Sequence, residues 1–256
     1  MPTSRRTALI TGPTAGIGRS FAEALATRGY DLVLVARDER RLAELAAHLR
    51  GSHPVEVEVL PADLANRRSL AVVEARLGDE SRPIDLLVNN AGFGLKHSFA
   101  KNDVEDEQMM LDVLVTAVLR LSHAGVHPMA ARGSGAVINV ASVAAFLPRG
   151  TYSAAKRYVV SFSQWLDLTY REQGVRAMAL CPGFVRTEFH QRMGVGPESA
   201  PRWMWLDPDR IVREALVDLD RGKSISVPSK RYKLLSAAAR YTPPSVLARF
   251  QTLGRK

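Results

Sequence analysis

What most constrains this chain is a repeated alternation of two periodicities along its length. Short runs rich in β-branched residues fall at 7–11, 31–36, 55–60, 84–89, 135–140, 175–181 and 224–228. Segments with apolar residues at helical spacing fill most of the gaps, at 17–28, 38–50, 66–77, 103–131, 152–172 and 208–220. Strands that alternate with helices are joined by crossovers, so the pattern predicts a βαβ series whose parallel sheet lies between two helix layers. One stretch breaks the rhythm. Residues 186–207 are rich in Gly, Pro, Met and Trp and follow a strand end. Ligands of open α/β sheets sit outside the carboxyl ends of the strands, so this segment is placed to cover a site.

Composition narrows the class of protein. With 256 residues, 46% hydrophobic and 24% charged, the chain has the make-up of an ordinary globule and not of a disordered or collagen-like one. Cys181 is the single cysteine, so no intrachain disulfide exists, and no metal is needed to staple a core of this size. Only Thr7-Ala8-Leu9-Ile10 separates Arg5-Arg6 from the Thr11-Gly12-Pro13 turn, too short for the apolar core of a signal peptide, and no run is expected to reach transmembrane length. A cytoplasmic location is the expectation. The net charge of +9 is concentrated at one end: nine bases and no acid follow Asp220. A neutral body with a basic tail argues against a body-wide nucleic-acid surface, and no nucleic-acid partner is expected.

The first strand runs into Thr11-Gly12-Pro13-Thr14-Ala15-Gly16-Ile17-Gly18, where a helix starts. Glycines there permit positive φ and let backbone N–H groups approach a pyrophosphate. Four further motifs follow in order: Asp63 in Ala62-Asp63-Leu64, Asn89-Asn90-Ala91-Gly92, Ser142 with Tyr152-x-x-x-Lys156, and Pro182-Gly183-x-x-x-Thr187. On these motifs the chain resembles the short-chain dehydrogenase/reductase family over about residues 5–230. The resemblance implies an α/β, Rossmann-type, doubly wound three-layer fold with a seven-stranded parallel sheet and a nicotinamide cofactor. It assigns cofactor contacts to Gly12, Thr14, Gly16, Ile17, Gly18, Asp63, Leu64, Asn90, Ala91, Gly92, Pro182, Gly183, Val185 and Thr187, with Tyr152 and Lys156. It divides the chain into a dinucleotide-binding catalytic domain, 1–230, and a basic amphipathic C-terminal extension, 231–256.

The chemistry also follows from the side chains. Tyr152 and Lys156 lie four apart and share a helix face. A nearby ammonium stabilises a phenolate and lowers the phenol's pKa from its ordinary value near 10. The pair is therefore expected to be a tuned acid/base, and Ser142 is expected to hydrogen-bond the same substrate oxygen. The predicted reaction interconverts a carbonyl and a secondary alcohol. At the end of the second strand, where an NAD enzyme places an acid, stands Ala36, and Arg37 follows, with Arg40 and Arg41 beyond; this favours NADP(H).

Two departures from the family pattern stand out. The family's fourth-helix asparagine, which holds a kink and a water that links Lys156 to solvent, is replaced in this reading by Asp112, counted among the catalytic residues. Ser142 and Tyr152 are also closer in sequence than the family commonly has them. The alternative to an enzyme is a cofactor-binding redox sensor or scaffold with impaired catalysis. Phe93, Phe146, Met193, Trp203 and Trp205 are the expected substrate pocket, suited to a hydrophobic or lipid-like substrate. A weaker resemblance is to steroid and long-chain 3-oxoacyl reductases. Helices 103–131 and 152–172 are the family's usual dimer faces, which implies a homodimer or homotetramer. Packing on its own domain is the preferred reading of the tail; peripheral membrane contact is the alternative.

Overall fold

The computed structural model describes residues 5–189, 196 and 200–242; Met193 and the tail beyond Thr242 lie outside them. The strands are β1 (Thr7–Thr11), β2 (Asp31–Ala36), β3 (Val57–Pro61), β4 (Leu86–Asn89), β5 (Gly135–Val140), β6 (Val175–Leu180) and β7 (Ile225–Ser226). The helices are α1 (Gly16–Thr27), α2 (Glu39–Ser52), α3 (Arg67–Leu77), α4 (Val104–Leu111), α5 (Ala117–Ala131), α6 (Thr151–Tyr170), α7 (Pro208–Asp220) and α8 (Lys230–Tyr241).

All seven strands pair in parallel, in the order β3-β2-β1-β4-β5-β6-β7. The chain runs outward from β1 to β3 and then returns to place β4 against the other side of β1. This reversal opens a crevice at the carboxyl ends of β1 and β4. Alternate strand residues feed opposite layers, because the side-chain period of a strand is two. Ile10, Leu34, Val88 and Ile138 pack under α1, α2 and α7, against Phe21, Leu42 and Ile211. Leu9, Val33, Leu87 and Val137 pack on the other face, against Leu70, Leu121 and Leu166 of α3, α5 and α6. Both faces are covered, so the strands read as continuous apolar runs.

The helix expected over 103–131 is interrupted. A π-helical turn at Asp112–Thr116 separates α4 from α5, and such bulges recur at functional sites. The span Val104–Ala131, 28 residues, is long and apolar enough by length and composition to cross a membrane, contrary to the expectation from sequence. Here its apolar side meets the sheet and α6: Met110, Leu114, Leu121 and Met129 are buried.

The segment after β7 does not stand apart from the body. Tyr232 of α8 is buried; its hydroxyl accepts from Phe184 N at 3.1 Å and donates to Met204 O at 2.8 Å. Its ring occupies the space a side chain at Gly183 would need, 2.0 Å from an ideal Cβ. The glycine after Pro182 thus admits α8 to the edge of the crevice.

Candidate active site

The glycine loop is built by mutual hydrogen bonding between the ends of β1 and β4. Thr11 Oγ1 accepts from Asn90 N and Ala91 N at 2.9 and 3.0 Å, and Asn90 Nδ2 donates to the carbonyls of Thr11 and Gly12 at 2.9 and 3.0 Å. Gly12 and Gly16 adopt φ of +65° and +53°. Gly18 does not line the cleft; a Cβ there would lie 2.1 Å from Gly12 O, so its role is to let α1 approach the loop. Asp38, Asn66 and Asp207 cap α2, α3 and α7 with their side chains, whereas Ala15 gives α1 no side-chain cap. The first N–H groups of α1 are thus left to an anion. These features fit the diphosphate of a dinucleotide.

A cleft of about 1290 Å³ runs from this loop across the carboxyl edge of the sheet, more than one small ligand requires. Gly12, Thr14, Gly16, Ile17, Arg37, Asp63, Leu64, Asn90, Ala91, Gly92, Pro182, Gly183, Val185 and Thr187 line it, as the resemblance implied. Arg37 is exposed at the rim. Arg41 reaches across the mouth, where its guanidinium donates to Thr14 O at 3.1 Å and to both oxygens of Glu188 at 2.9 and 3.3 Å.

Ser142, Tyr152 and Lys156 meet at the floor of the cleft. The short Ser142–Tyr152 spacing does not part them. Residues Val143–Phe146 form one 3-10 turn, capped by Ser142 Oγ, which accepts from Ala144 N at 3.1 Å. Arg157 Nε donates to Ala145 O at 3.0 Å and ties that turn to α6, and the Ser142 and Tyr152 hydroxyls are hydrogen-bonded. The electrostatics differ from the expectation of an acidified phenol. Lys156 Nζ donates to Val140 O at 2.7 Å and lies 5.7 Å from the Tyr152 ring centroid. Burial pushes the Tyr152 phenol up to about 12, against a smaller lowering by Ser142. Burial likewise pulls Lys156 down to about 8, slightly offset by Cys181. Desolvation outweighs the pairing, so these protein groups hold Tyr152 as a neutral O–H donor.

The Asp112 carboxylate is engaged along its own helix. It accepts from Gln108 Nε2 at 3.1 Å and Thr116 Oγ1 at 3.4 Å, and Asp112 does not line the cleft. The residue of the π-turn that faces Lys156 is Leu114, fully buried in the cleft wall. An ideal Cβ at Gly92 would be 2.8 Å from Leu114 Cδ2 and 3.9 Å from Lys156 Nζ, which sets both over the same glycine. The kink that the resemblance implies is present, but its inward residue is apolar. Asp112→Asn is therefore expected to leave kcat/KM within about twofold of the native value, because only the local hydrogen bonds to Gln108 and Thr116 are affected. Steady-state kinetics would check this; a loss beyond about tenfold would put the carboxylate back in the relay.

Of the expected pocket, Phe93 and Trp203 line the cleft. Phe146 does not, because it packs into the core beside Val159 and Val160 of α6. Trp205 does not either: its ring packs on Phe184 with centroids 5.5 Å apart, and its Nε1 donates to Ala200 O at 3.1 Å. It anchors the loop, while Trp203 stays half exposed. The α8 residues Tyr232, Leu235, Ser236 and Ala239 were not anticipated as a cleft wall. Their signal was the apolar run amid the basic tail.

Residues 6–196 match the family model described as short chain dehydrogenase. The chain belongs to that family. Among solved structures, this short chain dehydrogenase is similar to one from Sphingobium yanoikuyae in complex with NADPH, at 38% identity and a TM-score of 0.85, covering 91% of this chain and 93% of that one. It is also similar to the bulky-bulky ketone specific alcohol dehydrogenase from Comamonas testosteroni, at 34% identity and a TM-score of 0.80, covering 92% of each. A very-long-chain 3-oxoacyl-CoA reductase from Bos taurus is 29% identical over 230 residues, 87% of this chain and 69% of the relative. The short chain dehydrogenase assignment makes the protein an oxidoreductase of carbonyls and alcohols.

Proposed function

We propose that the protein is an NADPH-dependent reductase of hydrophobic ketones. The observation that carries this reading is the Ser142–Tyr152–Lys156 cluster at the floor of a cleft whose far wall is apolar. A bound nicotinamide dinucleotide would supply the hydride. Tyr152, protonated at neutral pH, donates its proton to the substrate oxygen, and the Ser142 hydroxyl hydrogen-bonds that same oxygen. A phenol held neutral favours the reduction direction. Lys156 holds the floor through Val140 O, and its other N–H groups would be the donors for a nicotinamide ribose. Phe93, Leu147, Phe189, Trp203, Met204 and Leu235 exclude water and offer an apolar bed to the ketone. Support also comes from the Comamonas testosteroni relative, whose substrates are bulky ketones.

Cofactor preference follows from the rim. Ala36 brings no acid to a ribose 2′-hydroxyl, and the Asp38 carboxylate is occupied by Arg41 N at 3.0 Å. Arg37, exposed at the rim, is the cation available to a 2′-phosphate, and Arg41 beside it would join by exchanging its Glu188 partner for the phosphate. Removing either as Arg37→Ala or Arg41→Ala is expected to lower kcat/KM for NADPH by roughly 10–100-fold, the worth of a charge-assisted hydrogen bond, with NADH changed far less. Initial rates with both cofactors would check this, and an equal loss for both would show that the arginines do not read the phosphate.

The test of the main reading is NADPH oxidation with a panel of bulky aryl and alicyclic ketones. Turnover above background is expected; saturable NADPH binding without turnover on any ketone or alcohol would leave the sensor reading, which the apolar Leu114 beside Lys156 favours. The outer faces of α5 and α6 expose Leu119, Trp165 and Leu168, suited to a second copy in a homo-oligomer. We place the protein in the cytoplasm, where exposed Leu234 beside Lys230 and Lys233 gives α8 a face for anionic lipid; flotation with anionic vesicles tests that contact.

A further inference from the structure

Two stretches of the cleft wall, 183–184 and 202–204, meet at one side chain of α8, Tyr232. The 3-10 turn Arg202–Met204 brings Trp203 and Met204 to the wall, and its own backbone bonds are local: Met204 N donates to Pro201 O at 2.9 Å and Trp205 N to Arg202 O at 3.3 Å. α8 ties this turn to the body twice. The Arg231 guanidinium donates to Trp203 O and lies 5.9 Å from the Trp203 ring centroid, while the Tyr232 hydroxyl donates to Met204 O. α8 is itself fixed to α7 where it starts, Ser229 N donating to Glu214 Oε2 at 2.9 Å.

The Tyr232 oxygen occupies a defined place in a backbone ladder. Val185 and Leu206 form a parallel bridge, in which Leu206 N donates to Phe184 O at 2.8 Å and Arg186 N to Leu206 O at 3.1 Å. Parallel ladders alternate in this way, so the next rung would run from Phe184 N to Met204 O. The tyrosine stands in that rung: its hydroxyl accepts from Phe184 N at 3.1 Å and donates to Met204 O at 2.8 Å. An oxygen that bonds two groups at a near-tetrahedral angle keeps them roughly 5 Å apart, where a direct bond would draw them to about 2.9 Å. One side of this wedge is held from elsewhere, since Cys181 N donates to Ser226 O at 2.7 Å and Val143 N to Pro182 O at 3.0 Å. The side that depends on the hydroxyl is the turn with Trp203 and Met204. We infer that Tyr232 is a positioning residue: its hydroxyl sets how far the Trp203–Met204 wall stands from the Gly183–Phe184 edge, and so fixes the surface that large ketones touch. It acts through that wall and not on the reacting carbonyl. This rests on reading the cleft as that of a ketone reductase.

The experiment compares two matched pairs of ketones with NADPH: cyclohexanone with 4-phenylcyclohexanone, and acetophenone with 4-phenylacetophenone. In at least one pair the larger member is expected to have the lower KM on the native protein. In Tyr232→Phe, which keeps the ring and removes the oxygen, the KM of that larger ketone is expected to rise about tenfold, while its kcat and the KM of the smaller one stay within about twofold. The split is the readout, because a merely structural loss lowers the active fraction and hence the apparent kcat of both members, with KM unchanged. Thermal melting checks that the variant folds. If it does not, Arg231→Met, which removes the other α8 bond to the turn from an exposed side chain, is expected to raise the same KM about threefold, and an unchanged KM there overturns the inference. A larger member that is never bound more tightly by the native protein, or a KM unchanged in folded Tyr232→Phe, overturns the inference alone. No turnover of any ketone overturns it together with the reductase reading.

Discussion

Tyr152→Phe is expected to reduce kcat for ketone reduction by about 10³-fold, within the range general acid catalysis supplies, while NADPH binding stays within about twofold. The phenol is the hydroxyl at the cleft floor placed to release a proton to the substrate oxygen. Burial holds it at about 12, so it remains protonated across the working pH range and the native rate should not be lost by its ionisation below pH 9. Phenylalanine keeps the ring that packs on Phe189, with centroids 6.1 Å apart, and so preserves the wall while removing the donor. Single-turnover kinetics with NADPH bound separate the two effects. A variant that retains more than a tenth of the native rate would mean that the proton comes from elsewhere, and the proposed chemistry would not stand.

Lys156→Met is expected to abolish most activity and yet to stabilise the fold at neutral pH. Burial lowers the lysine from its ordinary 10.5 to about 8, which corresponds to a penalty on the order of 3 kcal/mol for keeping the ammonium inside. The sign follows from proton counting. Below pH 8 both folded and unfolded chains hold the proton, and the penalty is felt in full. Between pH 8 and 10.5 the unfolded chain binds more protons than the folded one, so native stability rises with pH. Methionine fills similar volume without a charge, but strands Val140 O, at a cost of about 1 kcal/mol. The variant should therefore be more stable than the native protein by on the order of 2 kcal/mol at pH 7, with the advantage gone by about pH 10.5. Urea unfolding at several pH values, without added nucleotide, would show it; a variant less stable at pH 7 would mean that the ammonium is solvated or paired in the folded state. A residue that destabilises the fold in this way is retained for what it does in the cleft.

The catalytic group and the glycine loop were legible in the sequence because each is a short-range pattern. Tyr152 and Lys156 share a face whenever their segment is helical, and Gly12, Gly16 and Gly18 mark a turn that no other residue accommodates. The same logic put Asp112 at the position where the structure sets Leu114 against the cleft. Two residues along a helix differ by about 200° in direction, so the distinction between Asp112 and Leu114 is a question of phase. That phase depends on the π-turn, which local propensity does not announce.

From its sequence alone, this protein had its parallel α/β sheet, the crevice at β1 and β4, and the residues gathered there, since strand and helix periods and motif spacing are properties of neighbouring residues. Its tertiary structure decided that Lys156 is lowered and turned to Val140, that Trp203 meets the cleft while Phe146 and Trp205 serve the core, that α8 closes one wall, and that Tyr232 bonds at once to Phe184 and Met204. Desolvation and hydrogen-bond satisfaction are sums over everything that surrounds a group, and those surroundings are brought together only when distant segments pack.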